Sequence, residues 1–288
     1  MKLRQFEVSK PGKFHLRDYP TLNTDLFDND DEAEARLAYL QSQLAHLQDM
    51  LSAQNQWSVL LILQGMDTAG KDGLIKHVMN GVNPQGCIVH SFKAPTHLEK
   101  DHDFLWRTHL RMPARGQIGI FNRSYYEDII VPTVHPEILA DSQIPEELRD
   151  SDKFMDHRCE DIINHELYLQ RQGCLVIKIY LHLSKSEQKN RLQARLENPD
   201  KNWKFEEADI QERAHWKEYQ KAYDYCIKRT SHAAAPWHIV PADKKLHARV
   251  ITSEILVSML QTIGLQYPQV SSERKRELKK IARELLHP

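Results

Sequence analysis

The sequence predicts a three-layer α/β/α fold in which helices cover both faces of a mostly parallel, five-stranded sheet. Short apolar segments alternate with longer helical ones from residue 58 onward, an order typical of layered α/β domains. The first and fourth apolar segments are almost continuous, as expected for strands buried on both faces. The predicted strands span residues 58–64, 87–92, 117–121, 174–181 and 237–240.

Size and charge limit the possible functions. With 288 residues, 41% of them hydrophobic, the chain can bury a core as one large domain or two small ones. Its 39 basic and 40 acidic side chains leave a net charge of -1, so attraction to nucleic acid or an acidic membrane is not expected. The four widely spaced cysteines, the lack of an apolar leader and the lack of a long apolar segment indicate a cytoplasmic protein.

Helical segments surround the predicted strands. An irregular region, residues 1–29, precedes a helix that we expect to begin at Asp31, because Glu34 would complete a capping box with it. This helix carries one leucine stripe, which predicts packing on the domain's own core and leaves a subunit contact as the alternative. The stripe is Leu37, Leu40, Leu44, Leu47 and Leu51, and further helices are expected over 71–81, 97–111, 149–172, 185–197, 206–230 and 243–263.

The residues after the first strand form a phosphate-binding motif. Gly65, Gly70 and Lys71 satisfy the pattern G-x-x-x-x-G-K, and they lie between a strand and a helix. Glycines let backbone N–H groups converge there, and the helix start and Lys71 add positive charge. The alternative, an ordinary glycine-rich turn, would not need to lie between a strand and a helix. We therefore predict a P-loop kinase domain over residues 30–265, with phosphate contacts from Gly65, Thr68, Ala69, Gly70, Lys71, Asp72 and Gly73.

Two carboxylates distinguish this loop. Asp72 stands where Ser or Thr normally meets Mg²⁺, and Asp67 lies inside the loop. A carboxylate beside bound phosphates would repel them unless a cation lies between. We predict that Asp67 binds Mg²⁺ or orients its water, with Mn²⁺ as a substitute metal. Asp72 could share that role or simply complement the helix dipole.

A second polar motif follows the third strand. Asn122 is a candidate phosphate- or nucleotide-binding residue, at the position where P-loop proteins often carry a metal-associated acid. Arg123 is expected near the phosphates, because its planar group can bind two oxygens. Glu127 lies one helical turn further on, where a salt bridge with Arg123, phosphate-site contact and metal binding all remain open. Asp128 is likewise a candidate metal ligand.

Residues 184–215 interrupt the alternation with charged helical sequence, and we predict that they form a lid. Ser184 and Glu187 are expected to form a capping box. A charge-rich segment is often only a solvated helix face, but kinase lids lie before the last strand and close over the transferred group. The candidate phosphate-binding residues of this segment are Arg191, Arg195, Lys201 and Lys204.

The C-terminal residues 266–288 are predicted to form a basic helix outside the kinase domain. Residues 272–287 contain six Lys or Arg against three Glu, with an apolar stripe of Leu278, Ile281 and Leu285. We favour packing of this stripe onto a neighbouring element, with polyanion binding as the alternative.

Several longer motifs resemble the second family of polyphosphate kinases, P-loop enzymes that exchange phosphoryl groups between inorganic polyphosphate and nucleotides. The resemblance covers about residues 30–265 and implies Mg²⁺-dependent transfer, a lid and dimeric or tetrameric assembly. It also implies catalytic or phosphate-binding roles for Asp67, Lys71, Arg123 and Arg191. The matching stretches are GMDTAGKDG (65–73), NPQG (83–86), SFKAPT (91–96), FLWR (104–107), FNRSYYED (121–128), RLQARLENPDKNWKF (191–205) and APWHIVPADKK (235–245).

The expected reaction moves a phosphoryl group reversibly between polyphosphate and ADP, GDP or AMP. Because the acceptor oxygens are already ionised, positioning and charge neutralisation matter more than a general base. A basic track for the long substrate is expected from Lys93, Arg107, Arg111 and Arg115. The alternatives are an ATP-dependent nucleoside monophosphate kinase of the thymidylate kinase kind and a non-catalytic protein that binds polyphosphate or nucleotide.

Overall fold

A computed structural model describes residues 2–23, 26–140, 142–205 and 207–286, without the side chains of Lys201, Lys204, Ala208 and Asp209. Its sheet has five strands in the order β2-β3-β1-β4-β5, and every pairing is parallel. All five predicted strands are confirmed, and the first and last residue of each agree with the prediction to within one residue. The strands are β1 (Ser58–Gly65), β2 (Cys87–Ser91), β3 (Ile118–Asn122), β4 (Cys174–His182) and β5 (Trp237–Pro241).

Helices connect the strands, and two of the predicted ones are divided. The segment 97–111 forms two single-turn helices instead of one, and 206–230 is interrupted at His215. The α-helices of the described chain are α1 (Asp30–Gln54), α2 (Lys71–Val78), α3 (His97–Lys100), α4 (Trp106–His109), α5 (Glu127–Val134), α6 (Glu137–Ala140), α7 (Glu146–Arg149), α8 (Phe154–Arg171), α9 (Lys185–Glu197), α10 (Glu207–Ala214), α11 (Trp216–Thr230), α12 (Lys245–Thr262) and α13 (Ser272–Leu286).

Each face of the sheet carries its own hydrophobic core. Val59, Leu61 and Leu63 of β1 face the cluster that contains α1, α2 and α12, whereas Leu60 and Ile62 face the cluster that contains α5, α8 and α11. This alternation explains why β1 is apolar at successive positions. The leucine stripe of α1 is buried in the first cluster, so its predicted packing on the domain's own core is confirmed.

Helix α1 begins slightly earlier than predicted. Its N-cap is Asn29, whose side chain accepts a hydrogen bond from the Glu32 backbone N–H (2.9 Å). The Glu32 carboxylate in turn accepts from the Asp28 backbone N–H (2.8 Å). The predicted cap at Asp31 is therefore wrong, because Asp31 lies in the first helical turn, where an acid complements the helix dipole.

The irregular N-terminal region belongs to the same packed body. Phe6 and Val8 are buried, and their backbones exchange hydrogen bonds with β5, from the Val8 N–H to Trp237 O (2.8 Å) and from the Ile239 N–H to Phe6 O (2.7 Å). The segment thus covers the edge of β5 that no strand pairs with in the described sheet. Short 3-10 turns, rather than regular elements, connect its buried residues.

The C-terminal helix α13 differs from the rest of the chain, because none of its residues is buried. The predicted packing of its apolar stripe onto a neighbouring element of this chain is therefore wrong for the described residues. Among all the helices of the described residues, none is both long enough and apolar enough to cross a membrane.

Candidate active site

The phosphate loop joins the C-terminal end of β1 to the start of α2. Gly65 and Gly70 have φ angles of +154° and +100°, which residues other than glycine rarely adopt. A Cβ on Gly65 would also lie 3.0 Å from Leu181 O of the neighbouring strand. Thr68 has a left-handed backbone as well, with φ of 64°. The loop therefore turns sharply over the end of the sheet and directs its backbone toward the start of α2.

Two side chains of the loop are placed to receive phosphate. The Lys71 ammonium is buried and donates to Gly65 O (2.7 Å) and Met66 O (3.4 Å) of its own loop. Burial lowers the pKa of Lys71, and the charge of Arg123 acts in the same direction. Thr68 Oγ1 is buried and has no hydrogen-bond partner among the described residues. An anion in the loop would supply partners for both groups.

Arg123 lies directly after β3, at the same edge of the sheet as the loop. One of its terminal nitrogens donates to Asp67 Oδ1 (2.8 Å), which joins the two predicted catalytic residues. Burial lowers the pKa of Arg123, but the carboxylates of Glu127 and Asp67 outweigh burial and the net pKa is raised. Arg123 is therefore a permanent positive charge beside the loop. Glu127 acts on it electrostatically, whereas the close ion pair is with Asp67.

Asp72 and Asn122 form the second link between these motifs. Asn122 Nδ2 donates to Asp72 Oδ1 (2.6 Å), so the acid that replaces the usual hydroxyl is held at the first turn of α2. Asp67 and Asp72 each use one carboxylate oxygen in these contacts. Mg²⁺ binds proteins through one or two carboxylates together with substrate phosphates and water. The pair fits that chemistry, although the described residues contain no ready-made group of three or more His, Cys, Asp or Glu ligands.

Asp128 has surroundings that differ from those of the two loop acids. Its side chain lies 3.6 Å from an Arg107 nitrogen, and its backbone carbonyl accepts from Arg158. Burial raises the pKa of Asp128 to about 6, with Arg107 and Arg158 opposing the rise. Asp128 is therefore the half-buried partner of Arg107, and its role as a metal ligand stays a prediction.

A buried polar network fixes the motif that contains Arg123. Tyr125 and Tyr126 donate to Glu166 Oε1 (2.9 and 2.7 Å), and Lys178 Nζ donates to Glu166 Oε2 (2.7 Å). The charge of Lys178 holds the pKa of Glu166 below its usual range even though burial opposes this. Removing one member of such a pair leaves an uncompensated buried charge. Sequence inspection did not find this network, because Lys178 lies in an otherwise apolar strand.

A cavity of about 520 Å³ opens beside the loop. Its charged lining includes the ion pair of Asp67 and Arg123 together with Lys93, Lys100 and Arg107. Helix α11 adds Tyr219 and Tyr223, one turn apart on one face. Lys100 and both tyrosines were not among the predicted site residues, although the i, i+4 spacing of the tyrosines was a signal in the sequence. The other lining residues are Gly65, Met66, Phe92, Ala94, Pro95, Glu127, Asp128, Val131, Pro132, Ile138, Gln188, Glu212 and Arg213.

The side chain of Arg191 faces backbone carbonyls of its own chain and does not close over a phosphate site as predicted for a lid arginine. It is 7% exposed, and its five N–H groups are used within the chain. They donate to Thr68 O and Ala69 O of the loop (3.1 and 3.0 Å), to Ala242 O and Asp243 O after β5 (2.6 and 3.1 Å), and to the Glu187 carboxylate (2.8 Å). Arg191 therefore holds the loop from behind.

The start of α9 is tied to the loop in the same way. Ser184 caps the helix by accepting from the Glu187 N–H (3.1 Å), as predicted. The second half of the predicted capping box is absent here, because Glu187 pairs with Arg191 and the Ser184 N–H donates to Asp243 (2.8 Å). Gln188 donates to Asp67 O (3.1 Å).

Helix α10 approaches the cavity from the other side through polar contacts. Arg213 donates to Gln188 Oε1 (2.5 Å), and Glu212 accepts from Tyr219 (2.6 Å). His135 at the end of α5 contacts Glu212 with one ring nitrogen and Glu137 with the other, at 3.1 Å each. Burial lowers the pKa of His135, but its hydrogen bonds with these two carboxylates outweigh burial and the net pKa is raised.

The remaining predicted site residues are not gathered at the cavity. Arg115 donates to Gln56 O just before β1, at the opposite end of the sheet, so its place in a polyphosphate track is wrong. Arg111 and Arg195 are outside the described cavity lining, and Gly73 lies in the first turn of α2. The side chains of Lys201 and Lys204 lie outside the described residues.

These features define a class of protein. A glycine-rich loop between a parallel strand and a helix, with a buried lysine, an adjacent arginine and a charged segment before the last strand, is the arrangement of a P-loop phosphotransferase. The particular family follows from comparison with known proteins: a family model described as polyphosphate kinase 2 matches residues 27–268. The chain belongs to this family.

Individual relatives agree with that assignment. An ADP-polyphosphate phosphotransferase of Rhodopseudomonas palustris is 42% identical over 99% of both chains. An AMP/ADP-polyphosphate phosphotransferase of Meiothermus ruber is 39% identical over 93% of this chain and 96% of the relative. A crystal structure of polyphosphate kinase 2 from Arthrobacter aurescens TC1 superposes with a TM-score of 0.86 at 37% identity, covering 95% of this chain and 94% of the other.

Proposed function

We propose that this chain is a polyphosphate-dependent nucleotide kinase that transfers a phosphoryl group reversibly between inorganic polyphosphate and nucleoside diphosphates. The observation that carries the proposal is the joined pair of motifs at the end of the sheet. Lys71, Asp67 and Arg123 lie together there, beside a cavity large enough for a nucleotide. The names of the relatives support polyphosphate and nucleotides as the substrates, and the charged groups of this site support phosphoryl transfer as the reaction.

Positioning carries most of the catalysis in this proposal. The loop N–H groups, the start of α2 and Lys71 bind the phosphate to be transferred or accepted. Arg123 neutralises charge that develops on the transferred group. Arg191 acts through the loop carbonyls of Thr68 and Ala69, so it is a positioning residue. No general base is needed, because phosphate acceptor oxygens are ionised near neutral pH.

Asp67 and Asp72 are the residues that would hold Mg²⁺, or Mn²⁺ in its place. When bound, the metal reduces the negative charge of the phosphates. Without it, the two carboxylates would face bound phosphate with like charge. Asn122 and Arg123 each occupy one oxygen of these acids, which orients the remaining oxygens. We expect nucleotide-dependent metal binding to weaken in an Asp67→Asn variant.

The cavity lining combines positive charge with an apolar part. Lys93, Lys100 and Arg107 line it and offer positive charge for further phosphates. Val131 and Pro132 form an apolar part of the lining that suits a flat ring. ADP and GDP are proposed as acceptors, with AMP as a further acceptor, since one relative is named for both AMP and ADP.

A donor and acceptor comparison tests the proposal. Purified protein with Mg²⁺ is given ADP, GDP or AMP, and either long-chain polyphosphate or ATP as donor. We expect phosphorylated nucleotide with polyphosphate, loss of the reaction with EDTA and recovery with Mg²⁺ or Mn²⁺. Phosphorylation of a monophosphate only with ATP would instead identify a kinase of the thymidylate kinase kind. Polyphosphate binding without turnover would identify a binding protein.

A further inference from the structure

Helix α13 exposes an apolar stripe that no other part of the described chain covers. Leu278 and Ile281 are 43% and 42% exposed, and Leu285 and Leu286 are 77% and 76% exposed. An isolated helix of about 15 residues is only marginally stable in water, so most helices depend on packing of their apolar face. The stripe therefore needs a surface to pack against.

Charge indicates what kind of surface that is. Helix α13 carries six basic and three acidic residues, at positions 274, 275, 276, 279, 280 and 283 and at 273, 277 and 284. Without them the chain totals of 39 and 40 become 33 basic and 37 acidic residues, a net charge of -4. A basic helix on an acidic body is complementary to another copy of that body.

One segment of the chain outside α13 has the two properties that a partner of this helix requires, exposed apolar side chains and negative charge. Residues 137–153 contain six acidic and two basic residues in the sequence, and the described part of this segment, 137–140 and 142–153, includes α6 and α7. Ile138 and Leu148 are exposed there, by 46% and 59%. The side chains of Glu137, Glu146 and Asp150 are 69%, 81% and 60% exposed. Exposed apolar side chains in a segment with a net negative charge match an apolar stripe flanked by Lys275 and Lys279.

We propose that α13 of one copy docks on residues 137–153 of a second copy, and that the exchange is reciprocal. A two-fold pair satisfies both surfaces of both copies, because helix and acidic segment occur once in each chain. The docked segment is adjacent to the active site, since Ile138 lines the cavity and Glu137 contacts His135. Assembly would thus stabilise the position of His135, which contacts Glu212 of α10.

The first test changes the stripe without changing charge. Leu278→Gln with Leu285→Gln keeps good helix formers and removes only apolar contacts. The matched control, Lys280→Gln with Glu284→Gln, lies on the polar face and also leaves the net charge unchanged. Sedimentation velocity of the full chain over a concentration series should give self-association at least about a hundredfold weaker for the stripe variant. The control should remain close to wild type.

The second test identifies the partner surface. Glu146→Lys with Glu147→Lys should weaken self-association, and adding Lys275→Glu with Lys279→Glu in the same chain should restore it. A monomeric wild-type chain at micromolar concentration would overturn the proposal, as would unchanged association of the stripe variant. Unchanged association together with weaker polyphosphate binding would instead identify α13 as a polyanion-binding helix. Failure of the charge exchange to restore association would exclude residues 137–153 as the docking surface.

Discussion

The two halves of the segment 184–215 are held to the protein in opposite ways. In the anchored half, residues 184–192, Gln188, Arg191 and Leu192 are 2%, 7% and 4% exposed, and two of them donate to the phosphate loop. In the outer half, residues 198–214, Trp203 and Ile210 are 77% and 49% exposed. The outer half is attached by polar contacts at its end, such as Glu212 with His135.

Because of this difference, only part of the predicted lid can move at a low cost in free energy. Lifting the anchored half would leave the carbonyls of Thr68 and Ala69 and four of the five Arg191 donors without their partners, because only the bond to Glu187 lies within the helix. Lifting α10 breaks part-buried polar contacts of Glu212 and Arg213 that water can replace, so it costs less. We therefore propose that the outer half closes over the substrate and that the anchored half supports the loop.

The largest effect is expected at the loop itself. Lys71→Met should lower kcat/KM with polyphosphate roughly a thousandfold or more, because a full charge beside the transferred phosphate is lost. Steady-state rates and the circular dichroism spectrum are measured together, with Lys76→Met in the same helix as the control. A folded Lys71→Met protein with near wild-type activity would show that transfer takes place elsewhere.

The next effect tests the anchored half. Arg191→Ala should lower kcat about a hundredfold with a smaller change in KM, because the loop is displaced while the binding groups remain. Lys189→Ala, an exposed change in the same helix, is the control. Guanidinium ion in the assay should restore part of the rate by filling the vacated position. If KM rises and kcat stays constant, Arg191 contacts substrate instead of positioning the loop.

The smallest effect tests the outer half and depends on pH. Both ring nitrogens of His135 face carboxylates, and only the protonated ring can donate from both. Since the folded-state pKa of His135 is raised, the contact with Glu212 is complete below the ordinary His pKa and is lost as pH rises through the raised value. Glu212→Gln should therefore raise the nucleotide KM roughly threefold at low pH and hardly at all at high pH.

A matched acid-to-amide change separates this contact from a general charge effect. Glu207→Gln, exposed at the start of α10, should leave the nucleotide KM close to wild type at every pH. A KM ratio for Glu212→Gln that is the same at low and high pH would contradict the role of His135. The measurement is a pair of KM profiles across the range in which histidine titrates.

The sequence was sufficient for the sheet and the loop, because both depend on local signals. Continuous apolar runs locate β1 and β4, and glycine spacing after a strand locates Gly65 and Gly70. Sequence patterns could not separate Arg191, whose donors face backbone carbonyls, from an arginine that faces phosphate, since both occur in a charged helix. The same holds for Asp128 and Arg115: their partners Arg107 and Gln56 O are brought close only by the tertiary fold.

Hydrogen–deuterium exchange tests the contrast between the two halves most directly. Peptides from residues 185–193 and 207–214 are compared in the intact protein, with and without polyphosphate, ADP and Mg²⁺. We predict that substrates slow exchange at least roughly tenfold in 207–214 and change it less than about twofold in 185–193. Equal protection of both segments would contradict the account, because the whole of 184–215 would then move as one lid.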